Sequence, residues 1–157
     1  MTSPDIQPAS GSQFTIVPAT WRDLNPLRSL EKICFPFDEW PILDLVGVLA
    51  LPNIVRLKAT VDEQFVGFIA GDLRPSEHLA WIATLGVLPE YRGRGIGTAL
   101  LQECEARLRL PYIRLSVRAS NQAAIRLYTH NGYQQIGTWP KYYRGNEDAV
   151  VMEKRVS

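Results

Sequence analysis

Apolar and polar residues alternate through "FTIVPAT" (14–20) and the alternation stops at Pro18, which predicts a short strand. The spacing then changes. Leu24, Leu27, Leu30, Ile33 and Cys34 recur at helical intervals, so a helix is predicted over 21–34, with Thr20 as its N-cap. Pro26 falls within the first turns and predicts an irregular start. "CFPFDEWP" breaks this helix, and a shorter one follows over roughly 41–51, with Ile42, Leu45, Val46 and Leu49 on one side. "NIVRLKATV" and "QFVGFIAGDL" predict two strands joined by a polar turn at 62–64. "LAWIATLGVLP" predicts a third, ended by Pro89. After the loop "EYRGRGIGTALL", Ile96, Leu100, Leu101, Cys104 and Leu108 mark the apolar face of a helix over 96–109. "YIRLSVRAS" is a strand of β-branched and aromatic character. Asn121 can cap a helix over 122–130, which Asn131-Gly132 can close in a left-handed turn. "YQQIGTW" and "DAVVMEKRV" are the closing strands, with "PKYYRGNE" between them.

Strand 79–88, helix 96–109 and strand 112–117 make a βαβ unit, whose strands must be parallel and whose crossover right-handed. The strands before it connect through short turns and are read as antiparallel. The fold class is therefore α/β: one mixed sheet with helices on both faces. A chain of 157 residues matches a single domain, here read as 13–157, with the Ser-, Pro- and Gly-rich segment 1–12 as a flexible tail. An apolar share of 46% with a net charge of +1 gives no general basis for nucleic-acid or membrane binding. The two cysteines, Cys34 and Cys104, lie in apolar helical patterns and are read as buried free thiols, with no metal-ligand spacing. That usage, and the absence of a signal-peptide pattern, point to the cytoplasm.

The loop at 90–101 carries the chemistry. It lacks the Gly-Lys-Ser/Thr ending of a Walker loop, and Thr98 stands where a dinucleotide fingerprint needs its third glycine. A helix starting near Gly95 still offers unpaired N–H groups to an anion. Gly95 and Gly97 allow that anion a close approach, and Arg92 and Arg94 add charge. The same glycines could instead serve only a tight turn.

Arg92-Gly93-Arg94-Gly95-Ile96-Gly97 fits R/Q-x-x-G-x-G/A and resembles the pyrophosphate loop of the GCN5-related N-acetyltransferases. "VRASNQAAIRLYTHNGY" (117–133) resembles the second half of that family's acetyl-CoA site. "KYYRGNEDAVVMEK" (141–154) and "CFPF" (34–37) resemble the ending and the substrate loop of its protein N-terminal acetyltransferases, including the ribosomal-protein alanine type. The likeness spans about residues 14–155. It implies a mostly antiparallel sheet with a splayed parallel pair and acetyl-CoA bound in the splay. Leu85, Gly86 and Val87 would pair with the pantetheine arm, and a backbone N–H near Val87 would stabilise the oxyanion. Arg92, Gly93, Arg94, Gly95, Ile96, Gly97 and Thr98 would hold the pyrophosphate, and Asn121 would hydrogen-bond the cofactor. Within this pattern Gly95 and Gly97 matter most, and Gly93 occupies a variable position.

Tyr128 matches the family tyrosine near the thioester sulfur, where a phenol suits protonation of a departing thiolate. Phe35, Pro36 and Phe37 would wall the first side chain of the acceptor, and Tyr142 and Tyr143 would line the peptide entry. The family base does not carry over: Ser116 stands where relatives have Glu or His, and Trp81 where some have Tyr. Candidate assistants near the substrate loop are Glu31, Asp38 and Glu39, each also readable as a solvated surface charge. An α-amine, about a tenth neutral at pH 7, needs less help than a lysine. The implied function is acetyl-CoA-dependent acetylation of a protein or peptide N-terminus by a monomer or homodimer. The alternatives are a small-molecule amine or lysine side chain as acceptor, or a non-catalytic acyl-CoA-binding domain.

Overall fold

Strands β1 (Thr15–Pro18), β2 (Ile54–Val61), β3 (Gln64–Arg74), β4 (Leu79–Val87), β5 (Tyr112–Arg118), β6 (Gln134–Tyr143) and β7 (Glu147–Arg155) form one sheet in the order β1-β2-β3-β4-β5-β7-β6. Every neighbouring pair is antiparallel except β4 and β5, which are parallel. Among the described residues there are four α-helices: α1 (Leu24–Cys34), α2 (Ile42–Ala50), α3 (Ile96–Leu108) and α4 (Gln122–His130). This computed structural model describes residues 13–38 and 40–156. The segment 1–12 and Glu39 lie outside the described residues.

The local signals act largely as the patterning indicates. Thr20 caps a single 3₁₀ turn, Trp21–Asp23, in a capping box with Asp23, and the α-helix proper begins only at Leu24. Pro26 then sits in its first turn, where a missing N–H costs nothing. The turn between β2 and β3 places Asp62 and Glu63 at φ 48° and 67°, a pair of left-handed residues that suits a two-residue hairpin. Asn121 accepts a hydrogen bond from the Ala124 N–H at 3.1 Å, and Gly132 closes α4 at φ 95°.

Two layers of apolar packing sandwich the sheet. On one face Leu27 and Leu30 of α1 and Leu45, Val48 and Leu49 of α2 pack on Phe68 and Ala70. On the other, Ile96, Leu100, Leu101, Cys104 and Leu108 of α3 meet Leu57, Ile69, Ile113 and Leu115. Burial on both faces explains why "FVGFIAG" in β3 reads as a continuous apolar run. Beneath α3, Tyr133 donates to Glu105 Oε2 at 2.7 Å and Lys154 donates to Glu105 Oε1 at 2.9 Å, so this buried carboxylate has both oxygens engaged.

The connection expected at 140–147 is mostly strand. β6 continues to Tyr143, which pairs with Glu147, and the register slips between Trp139 and Tyr143. Residues 140–142 form the slip, with Lys141 at φ 53° and its N–H bonded to Asp148 Oδ1 at 2.9 Å. Pro140 and the turn-rich residues after it hide this extension from a sequence pattern. Among the described residues, no helix is long and apolar enough to cross a membrane.

Candidate active site

The parallel ladder covers only Leu79, Ala80 and Trp81 of β4, opposite Tyr112, Ile113 and Arg114 of β5. Beyond it β4 stays with β3 up to Val87, while β5 stays with β7 up to Arg118, so the two strands part. The register of β4 shifts at the same place: Ala70 faces Thr84 and Gly71 faces Ile82, leaving Ala83 as an extra residue. A cleft of about 390 Å³ opens at the splay. Its walls include Leu85, Gly86 and Val87 from β4, the loop before α3, and Asn121, Ala124, Leu127 and Tyr128 from α4. Gly86 lets α1 lie close on β4: a Cβ there would sit 3.0 Å from Leu30 Cδ2 and 3.3 Å from Cys34 Sγ.

At the mouth of the cleft the chain turns into α3. Gly93 (φ 77°) and Gly95 (φ 85°) are both left-handed. Gly93 therefore suits the turn in its own right, beside its place at a variable position of the family pattern. Gly95 is the N-cap and carries no capping side chain, and the first intrahelical bond runs from Ala99 N–H to Gly95 C=O. The amides of Ile96, Gly97 and Thr98 thus lack helical acceptors, and all three residues line the cleft. Gly97 has ordinary helical backbone, and a Cβ there would reach Leu127 Cδ2 at 3.5 Å and Val87 Cγ2 at 3.9 Å, both on the cleft wall. Arg92 also lines the cleft, donating from Nε to the Val87 carbonyl at 2.8 Å and from Nη2 to Cys34 Sγ at 3.6 Å. Arg94 is not among the lining residues; it bonds the Glu90 carbonyl and lies over the Tyr91 ring.

A second cavity of about 140 Å³ adjoins the first, and the two share Phe35, Leu85, Asn121, Ala124 and Tyr128. Tyr128 is 7% exposed, with its ring edge-on to Tyr133. Burial, assisted by Tyr143, pushes its hydroxyl well above the ordinary phenol range, so it holds its proton at neutral pH. Across the second cavity Tyr143 and Ser116 share a hydrogen bond of 3.1 Å, and burial raises the Tyr143 hydroxyl too. Tyr142 packs edge-on against Tyr143 at 5.0 Å and on Trp139 at 4.9 Å, but it is exposed and does not line the cavity. Phe35 lines both cavities, whereas Pro36 and Phe37 are exposed outside them, Phe37 beneath the Arg118 guanidinium.

Of the two cysteines read as buried thiols, Cys104 follows that reading and Cys34 does not, and the carboxylates Glu31 and Asp38 are not solvated surface charges. Cys104 is buried, and burial pushes its thiol up to about 12. Cys34, by contrast, is only half-buried and forms part of the cleft wall, its Sγ 3.4 Å from the Val87 carbonyl. Glu31 is no surface charge: it is 1% exposed, takes a 2.9 Å hydrogen bond from Thr84 Oγ1, and lines the second cavity. Asp38 is held by both arms of Arg118 at 2.7 and 2.8 Å, and Arg118 also donates to Glu147 at 2.7 Å. Arg118 escapes a reading of the sequence. Its partner Asp38 is 80 residues away, and nothing local marks the pairing.

A splayed parallel pair, a bare helix N-terminus at its mouth and a buried tyrosine at its floor form one connected site. The family model described as "Acetyltransferase (GNAT) family" matches residues 24–133. The chain belongs to the GNAT acetyltransferase family. The N-alpha-acetyltransferase RimI of Mycobacterium tuberculosis is 34% identical over 152 residues, covering 93% of this chain and 95% of that one. The crystal structure of the ribosomal-protein-S18-alanine N-acetyltransferase from Escherichia coli superposes with a TM-score of 0.84 at 26% identity, over 92% of this chain and 95% of that one. Arabidopsis thaliana Naa50, solved with the bisubstrate analogue CoA-Ac-MVNAL, gives a TM-score of 0.80 at 27% identity, over 91% and 99%. As a GNAT protein the chain is an N-acetyltransferase, and its two adjoining cavities suit the two substrates that such an enzyme brings together.

Proposed function

We propose that this enzyme transfers acetyl from acetyl-CoA to the α-amine of a peptide or protein N-terminus. The observation that carries the reading is the junction of the two cavities at Tyr128. One cavity ends in uncapped amides suited to a pyrophosphate; the other is lined by Phe35 and Tyr143. The relatives named above, which act on or were solved with N-terminal acceptors, support the same choice of amine. Acetyl-CoA supplies the acetyl group already activated as a thioester.

In this reading the β4 edge at residues 85–87 pairs with the pantetheine arm as an added strand would. The amides of Ile96, Gly97 and Thr98 hold the pyrophosphate, aided by the helix dipole. Gly93 and Gly95 leave room for that approach, since a Cβ at either would meet nothing within 4 Å. Asn121 keeps its cap on α4 and presents its remaining amide group to the cofactor. Tyr128 gives its proton to the departing thiolate. The acceptor enters past Tyr143, with Phe35 against its first side chain and Phe37 and Tyr142 at the rim.

The test is a panel of short peptides with Met, Ala, Ser or acetylated N-termini, each incubated with acetyl-CoA while thiol release is followed. Turnover of peptides with a free α-amine, and none of the blocked controls, is expected. Turnover of glycinamide or spermidine without any peptide would overturn the N-terminal reading and leave a small-amine acetyltransferase. Acetyl-CoA binding with no turnover on any amine would leave a binding domain.

A further inference from the structure

Neither Ser116 nor Trp81 can accept a proton near neutral pH, yet an ammonium must lose one before its nitrogen can attack. Among the described residues lining the second cavity, two carry carboxylates, Glu31 and Asp38. Asp38 is neutralised by the two-armed contact with Arg118. Glu31 has one oxygen on Thr84, while its Oε1 is buried with no hydrogen-bond partner. A buried carboxyl kept only for structure has both oxygens engaged, as Glu105 does between Tyr133 and Lys154 in this same protein. The unpaired oxygen of Glu31 instead belongs to a residue on the wall of a cavity that adjoins the acetyl-donor cleft. The bulge at Ala83 sets the local geometry, because it turns Thr84 toward α1 as β4 leaves β5.

We propose that Glu31 is the general base of the reaction, its carboxylate taking a proton, through one intervening water, from the ammonium form of the acceptor in the second cavity. This rests on the acceptor lying in that cavity, as proposed above. The ammonium gives one proton to the Glu31 carboxylate and becomes a neutral amine. Its lone pair forms the new C–N bond while the C–S bond breaks. The departing sulfur takes a proton through Tyr128, which is restored by the second proton lost from nitrogen, and Glu31 returns its own proton to solvent. Burial holds the Glu31 carboxyl up, to about 7, against a lowering by the Thr84 hydrogen bond, which suits a base working at neutral pH. The charged and titratable groups facing this region are Cys34 on the same helix, Asp38 after it, Arg118 on β5, Tyr128 on α4 and Tyr143 on β6.

Two measurements test the assignment. The first needs no acceptor: the side-chain carboxyl of Glu31 is followed by carbon NMR in ¹³C-glutamate-labelled protein, with Glu31→Gln identifying its signal. A midpoint near 7 is expected, and one below about 5 overturns the proposal. The second is the pH profile of kcat, on whichever acceptor wild type turns over, Ala- or Met-starting peptide or glycinamide. Wild type shows an acid limb near 7. Glu31→Gln lowers kcat about 100-fold at pH 7 and removes the limb, with acetyl-CoA affinity by calorimetry unchanged. Thr84→Val keeps the carboxylate and moves the limb to higher pH, because a hydrogen bond favouring the charged form is gone. A limb retained in Glu31→Gln, or unmoved in Thr84→Val, overturns the assignment. Failure of every peptide with the limb intact on glycinamide sinks the N-terminal reading and leaves Glu31 in place.

Discussion

Gly93, Gly95 and Gly97 are bare for different reasons, and substitution should separate them. The first two hold left-handed backbone with open space around them, so Gly93→Ala and Gly95→Ala strain the turn itself. Gly97 is helical, and an added methyl meets only ordinary contacts with Leu127 and Val87. Gly97→Ala should therefore stabilise the ligand-free fold by about 0.5 kcal/mol, since alanine suits a helix better. Its acetyl-CoA affinity should change little, since the R/Q-x-x-G-x-G/A pattern admits alanine at this position, whereas Gly97→Leu puts a bulky side chain into the cleft and should weaken binding at least tenfold. Urea unfolding of Gly97→Ala and calorimetry on both variants check this; unchanged affinity in Gly97→Leu would mean that the amides at 96–98 do not grip the cofactor. Tyr128→Phe should lower kcat by about 100-fold with acetyl-CoA affinity intact, as expected for loss of a proton donor. The loop, Asn121 and Tyr128 are legible in the sequence because each acts within a few residues of its own helix end. Arg118 is not, and Glu31 is legible only as one of three candidate assistants that could equally be surface charges. Thr84 lies 53 residues from Glu31, and a glutamate on a helix reads as solvated until the sheet that covers it is known.

The helices position the site through their closest approaches to the sheet, and those approaches are made at glycine. α3 lies on β3 at Gly71, where a Cβ would be 2.9 Å from Leu108 Cδ2 and 3.1 Å from Cys104 Sγ. Gly71→Ala should cost about 1–2 kcal/mol through overpacking, read from the urea midpoint. Because α3 also carries the uncapped amides at its N-terminus, the same variant should bind acetyl-CoA more weakly although Gly71 lines neither cavity. A destabilised protein with unchanged affinity would show that the amides are held by the loop rather than by the packing of α3. The order and type of these elements are readable from periodicity alone. The splay is not, since it depends on where one ladder stops, and "LAWIATLGV" runs almost unbroken in apolar residues across that point. The end of β6 is hidden for a related reason: Pro140 and Gly145 announce a turn, but the slip at residues 140–142 absorbs the proline and lets Tyr143 rejoin the sheet.

The face that α1 turns to the sheet is buried, and with Leu27 and Leu30 it carries Glu31. The whole molecule therefore carries a cost that varies with pH. In the unfolded chain a glutamate titrates near 4.3; in the fold Glu31 is held up to about 7 by burial. Between these values the native state keeps a proton that the unfolded state has released, so stability falls as pH rises from about 4.5 to 7 and levels off above. The full span corresponds to about 3 kcal/mol. Glu31→Gln removes this dependence while keeping the shape of the side chain and an oxygen for the Thr84 hydrogen bond. At pH 5 the neutral acid and the amide each leave a buried donor unpaired, so variant and wild type should unfold at similar urea concentrations. At pH 8 the variant should be the more stable, by up to about 3 kcal/mol, because only wild type must bury a charge. Urea unfolding at the two pH values measures this difference directly. Equal stability at pH 8 would mean that the carboxylate is well solvated in the fold. The predicted gain runs opposite to the predicted loss of turnover: a group kept at the expense of the fold and needed for the reaction is what a catalytic base buried in a helix–sheet interface should look like.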